Sequence, residues 1–131
     1  MKKISQEWLR SAEDDLEAID EIIENESLTN IVAFHAQQAI EKSLKALIEE
    51  YDLKFKKTHK LMMLFNIVES IIDLQINEDT IIKLDSLYIE SRYPSSLGLL
   101  PDGKPDQNEA KNFKNASKEV FRTIKSKLKE D

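Results

Sequence analysis

The sequence predicts an all-α protein, an up-and-down antiparallel helical bundle of about five helices. Three features predict it. The two glycines and three prolines all lie between Pro94 and Pro105, so the rest of the chain is free of the strongest helix breakers. Apolar residues recur at three- and four-residue spacing, the period of a helix with one buried face. The connections between these runs are short, as between antiparallel neighbours. At 40% hydrophobic and 34% charged, the chain has apolar mass for a core and charge for solubility. Its 131 residues suit one domain spanning 1–131.

The first helix is predicted from about Ser5 to Glu24, with Ser5 as its cap and Trp8, Ala12, Leu16, Ile19 and Ile23 as its stripe. Asp15 falls beside Trp8 and Ile19 on the inner edge, where a carboxylate needs a partner. The second helix runs from about Leu28 to Glu50. At about 100° per residue, Ala33, Ala36, Ile40, Leu44, Leu47 and Tyr51 share one side. His35, Gln38, Lys42 and Lys45 line up opposite, flanked by Phe34, Ala39 and Ala46. A helix apolar almost all round is contacted on several sides, so this one is expected at the centre. Its polar line is then expected to face a partner or ligand.

The third helix is predicted from about Thr58, its N-cap, to Asp73, with Leu61, Leu64, Phe65, Val68 and Ile72 inside. The fourth runs from an Asn77 cap to about Tyr93, with Ile81, Leu84 and Tyr88 inside and Asp85 and Arg92 on the same stripe. Pro94 ends it, because the residue before proline is pushed out of helical geometry. Residues 94–105 form the one long loop, and Leu97, Leu99 and Leu100 are expected to fold it back onto the bundle. Asp106 and Glu109 make a capping box for the fifth helix, which buries Ala110, Phe113, Val120, Phe121, Ile124 and Leu128.

Several function classes are excluded or disfavoured. Without cysteine there is neither a disulfide framework nor a thiolate metal site. His35 and His59 lie on different helices with no metal-binding spacing, so no metal is expected. No glycine-rich phosphate loop and no nucleophile elbow is present. No signal peptide is read, no apolar run is long enough to span a membrane, and a cytoplasmic location is expected. The net charge of −6 disfavours tight duplex binding. Acids dominate residues 1–30 and bases residues 106–131, a pattern of complementary helix surfaces or, alternatively, of a basic last helix that touches nucleic acid.

Asp15, His35, Gln38, Lys42, Lys45, His59, Asp85 and Arg92 remain as polar residues at inward or borderline positions. One reading is structural: Arg92 pairs with Asp85 or Asp15, and His59 helps cap the third helix. The other is an anion or nucleotide pocket. There Arg92 binds phosphate bidentately, Lys42 or Lys45 supplies a point charge, and His35 or His59 donates a hydrogen bond.

Four segments carry a family resemblance: Ala12-x2-Asp15-Leu16; Ala33-Phe34-His35-Ala36-Gln37-Gln38-Ala39-Ile40-Glu41-Lys42-x-Leu44-Lys45-Ala46; Thr58-His59-x-Leu61; and Tyr88-x3-Arg92-Tyr93-Pro94. Together they resemble the HEPN domain family (higher eukaryotes and prokaryotes nucleotide-binding), in its Arg-Tyr-Pro branch. The resemblance implies a helical bundle, a homodimer, and partnership with a small nucleotidyltransferase, as in toxin–antitoxin systems. It also implies ligand-binding roles for Arg92, Lys42, Lys45, His35, Gln38 and His59, with Asp15, Asp85 and Tyr93 as structural polar partners. Ribonucleases of the family use Arg followed four to six residues later by His, and this chain has no such pair. The expectation is therefore a non-catalytic nucleotide- or anion-binding subunit that needs no cofactor. The alternative is an atypical metal-independent ribonuclease toxin, acting on RNA with Arg92 and His35 or His59. A plain adaptor bundle is the third reading. Apolar Ile31, Phe34 and Ala46 lie off the main stripe of the second helix and are the expected dimer surface.

Overall fold

The computed structural model describes residues 1–55, 57–92 and 103–130. They form α1 (Lys3–Ile22), a 3-10 turn (Glu26–Leu28), α2 (Thr29–Glu50), α3 (Leu61–Val68), α4 (Glu78–Arg92) and α5 (Gln107–Glu130). No strand occurs among the described residues.

Helix α2 packs against all four other helices. Alanines make this possible: Ala33, Ala36, Ala39 and Ala46 are fully buried or nearly so, which lets neighbours approach on several sides. Ile40, Leu44, Leu47 and Ile48 fill the centre, with Leu16 and Ile19 from α1, Leu64 from α3, Leu84 from α4 and Ile124 from α5. Burial of each such side chain is worth about 1.5–3 kcal/mol relative to exposure. Ala46 belongs to this core and is not free for a partner, whereas Ile31 and Phe34 are exposed.

Helix ends follow the expected chemistry in α4 and α5 but not in α1 and α3. Asn77 Oδ1 accepts from the Thr80 amide at 3.1 Å. Asp106 and Glu109 complete the reciprocal capping box, with bonds of 2.7 and 3.1 Å. Ser5 is no cap: α1 starts two residues earlier, and Ser5 is buried inside it. The Lys2 amide instead donates to Glu50 Oε1 at 2.8 Å, tying the start of α1 to the end of α2.

The third helix is half as long as the sequence suggested. Thr58 Oγ1 accepts from the Lys60 amide in a local turn, and Lys60 itself is extended, so the helix starts only at Leu61. It stops at Val68, where the Ile71 and Ile72 amides turn back to the Val68 carbonyl. Beyond it Ile72, Leu74 and Ile76 alternate with Asp73 and Gln75, and the three apolar side chains pack on the core from an irregular segment. The residue-94 end of the long loop, including Leu97, Leu99 and Leu100, lies outside the described residues.

Charge asymmetry along the chain becomes a lateral pairing. Asp20 of α1 meets Lys118 at 2.8 Å and Lys114 at 3.5 Å, and Glu13 meets Lys125 at 3.7 Å. The Lys118 ammonium is the main reason the Asp20 carboxyl sits below the usual carboxylate range.

Candidate functional site

Two histidines on α2 and the segment before α3 are held in the same way. Asp15, buried on the inner edge of α1, accepts from His35 Nδ1 through Oδ1 at 2.8 Å and from Lys42 Nζ through Oδ2 at 2.8 Å. Glu41, buried on α2, bonds His59 Nδ1 through Oε1 at 2.8 Å and pairs with Lys45 Nζ through Oε2 at 3.6 Å. Each unit is thus a His, a buried carboxylate and a Lys. Lys45 also sits 5.3 Å above the Trp8 ring, where the aromatic face favours a cation.

Buried Gln37 adds a second hold on His59. Its Nε2 donates to the His59 carbonyl at 3.1 Å, and its Oε1 accepts from Gln38 Nε2 at 2.7 Å. His59 is therefore fixed at both ring and backbone. An ionised carboxylate only accepts, so Nδ1 carries the proton in both histidines. Nε2 of each ring then remains as the chemically available nitrogen, with no hydrogen bond among the described residues. Both rings reach solvent.

A row of rings joins the two units. His35 meets Phe34 edge-on at 5.4 Å, Phe34 stacks on Tyr88 at 6.1 Å, and Tyr88 lies 5.9 Å from His59. Tyr88 is buried, while Phe34 keeps 39% of its surface exposed. Arg92 follows Tyr88 by one helical turn at the end of α4, the same face of that helix by register. The Arg92 side chain and Tyr93 lie outside the described residues.

Asp85 serves a neighbouring helix. Its Oδ1 accepts from the Leu61 amide at 3.0 Å, so α4 supplies the cap that α3 lacks in its own sequence. Burial pushes the Asp85 carboxyl above the ordinary carboxylate value, and the charge of Glu41 adds to this. The Leu61 and Met62 amides and Lys60 oppose the shift without cancelling it.

Of the sequence candidates, the structure brings Asp15, His35 and Lys42 into one unit, and Lys45 and His59 into the other. Gln38 lies beside them through Gln37. Both lysines are already paired with carboxylates. Gln37, Glu41, Phe34 and Tyr88 were missed as site residues. The helical wheel carried a signal for two of them: Gln37 and Glu41 fall about 40° and 80° from Ala33, on the buried side. Polar residues there need partners.

Such an arrangement can stack a planar ring on Phe34 and presents an imidazole Nε2 on either side of it, an acceptor in the neutral ring and a donor to an anion only once protonated. Among the described residues no group of His, Asp or Glu is arranged to hold a metal ion. No described helix is long and apolar enough to cross a membrane.

The fold has solved counterparts. The crystal structure of ST0689, an archaeal HEPN homologue, superposes with a TM-score of 0.69 at 23% identity, over 96% of this chain and 98% of the other. That of TT1696 from Thermus thermophilus gives 0.68 at 22% identity, over 96% and 99%. No curated protein matches the chain. The HEPN domain model matches residues 5–127, nearly the whole sequence, and the chain belongs to the HEPN domain family.

Proposed function

We propose that this chain is a non-catalytic HEPN subunit that binds a phosphate-bearing ligand, foremost a nucleotide. The binding surface is the row of rings between α2, residues 57–60 and the end of α4. One observation carries the reading: two histidines with carboxylate-fixed Nδ1, and Nε2 unengaged among the described residues, flank an exposed stacking ring that lies against Tyr88, one turn before Arg92. In this reading His35, His59 and Arg92 meet the phosphate. Lys42 and Lys45 act at closer quarters to the protein, neutralising Asp15 and Glu41. Dimerisation through the exposed Ile31 side of α2, which leaves Phe34 open to the ligand, and partnership with a small nucleotidyltransferase complete the proposal. A toxin–antitoxin role follows only if that partner is found.

Titration of ATP into wild-type and Arg92→Ala protein tests the ligand. Loss of a charge-assisted phosphate contact weakens binding about tenfold or more. Absence of nucleotide binding, to the protein alone or with its nucleotidyltransferase, removes this half of the proposal.

A specific feature also favours a second reading. A histidine oriented by a buried carboxylate is the arrangement of a general acid or base. In a ribonuclease, Nε2 of His35 or His59 would take the 2′-hydroxyl proton as that oxygen attacks phosphorus and return it to the 5′-oxygen as the P–O5′ bond breaks, while Arg92 stabilised the phosphorane charge. Cleavage of single-stranded RNA that is lost on Arg92→Ala supports it; no cleavage, or cleavage that survives Arg92→Ala, His35→Asn and His59→Asn, refutes it.

A further inference from the structure

The charged groups around the two histidines balance. Asp15 and Lys42 face His35, from α1 and α2. Glu41 and Lys45 of α2 face His59, and Asp85 of α4 lies close enough to both Glu41 and Lys60 to feel their charges. Three carboxylates therefore stand against three ammonium groups. Phe34 and Tyr88 are the ring neighbours of the histidines among the described residues. With neutral imidazoles, the described site has no net charge to offer an anion. Among the described residues, only the imidazoles can then add positive charge there.

We infer that phosphate capture at this site is coupled to proton uptake by His35 and His59. When both Nδ1 atoms are held by carboxylates, an added proton goes to Nε2, the atom that meets the ligand. It turns Nε2 from acceptor to donor and adds a positive charge where the phosphate oxygens arrive. The phosphate pairs with the outer edge of the resulting imidazolium. Binding and protonation then reinforce each other by linkage: affinity falls about tenfold per pH unit for each proton taken up. Ligand occupancy becomes sensitive to pH across the range in which histidine gains its charge, about pH 5 to 8.

The inference rests on the phosphate-binding reading, and one experiment separates the two. Cyclic AMP and, in a second arm, single-stranded tetradeoxyadenylate are titrated calorimetrically into the protein in two buffers of different ionisation enthalpy. Neither phosphodiester titrates near neutrality, so any proton exchange belongs to the protein. The expected result is net uptake of about one proton, two at most, with affinity falling about tenfold between pH 6.5 and 7.5. His35→Asn and His59→Asn retain an N–H donor for Asp15 and Glu41 but cannot titrate. Each lowers the uptake, and the double variant binds with affinity independent of pH. If the variants fail to fold, the wild-type buffer dependence decides alone. Binding with no proton uptake overturns the inference and leaves the binding proposal standing. No binding of either probe overturns both. Response to only one probe identifies the phosphate source as a small nucleotide or a single strand.

Discussion

Removing Asp15 tests the organisation of the site through stability. Asp15→Ala deletes two charge-assisted bonds of 2.8 Å and strands Lys42 and His35. Stranding one member of a fully buried pair costs about 3–5 kcal/mol. Here the side chains keep 10% exposure at Asp15, 20% at Lys42 and 27% at His35, so water recovers part of that loss. Lys42 can also swing its ammonium outward along a flexible stem. The expected cost is about 2–3 kcal/mol at pH 7, a Tm drop of roughly 6–15 °C for a chain of this size. Urea and thermal unfolding by circular dichroism measure it. Lys42→Met in the same background sharpens the test. Once Lys42 is gone no ammonium is stranded, so the double variant should be at least 1 kcal/mol more stable than the sum of the two single effects predicts. A cost for Asp15→Ala below about 0.5 kcal/mol, or strict additivity with Lys42→Met, refutes the view that Asp15 holds this network together.

Four further outcomes follow from the geometry. Asp85 has a raised folded-state pKa, so its ionisation opposes folding: the stability it contributes is complete below the ordinary value of 3.8 and declines as pH rises through the higher folded value. Asp85→Asn keeps an acceptor for the Leu61 amide without titrating, so wild type should lose stability relative to it over that window in urea titrations; a flat difference from pH 3.5 to 6 contradicts the assignment. Asp106→Ala removes half of the capping box of α5 and should cost about 1 kcal/mol in the same assay, with an unchanged midpoint as the adverse result. Phe34→Ala should cost less stability than a core phenylalanine, about 1 kcal/mol, because the ring keeps 39% of its surface exposed, yet weaken nucleotide binding about 5- to 100-fold through lost stacking. Equal binding by fluorescence titration would place the base elsewhere. Light scattering should report a dimer, and a mass that stays monomeric as concentration rises removes the Ile31 surface as a self-interface.

Much of the fold was legible because α1, α2, α4 and α5 carry both a helical apolar period and, in the last two, side chains able to cap. Helix α3 was misjudged because its apolar spacing continues into residues 69–76, where alternate residues are buried without a helix. Its cap lies at Asp85, 24 residues on, and no local pattern announces such a partner. The site was legible to the same depth. The inner-edge angle of Asp15 showed that it needs a partner, but naming His35 and Lys42 requires the register of α1 against α2, which periodicity does not specify. Glu41 escaped notice because a glutamate beside lysines on a helix suggests an ordinary surface pair. It sits instead beneath His59, which reaches it from a segment 18 residues later.

The borrowed cap of α3 has a consequence for timing. An eight-residue helix has little persistence by itself, and the Leu61 amide depends on a carboxylate from another helix. Two residues earlier, His59 hangs on Glu41 and Gln37 of α2. Local opening of this stretch would release the Leu61 amide to hydrogen exchange and loosen one of the two histidines in the same event. The Asp15–His35 half is built on two long helices and does not depend on that event. The two halves of the site, alike in chemistry, therefore differ in lifetime: one is a fixture of the bundle, and the other is renewed each time α3 closes.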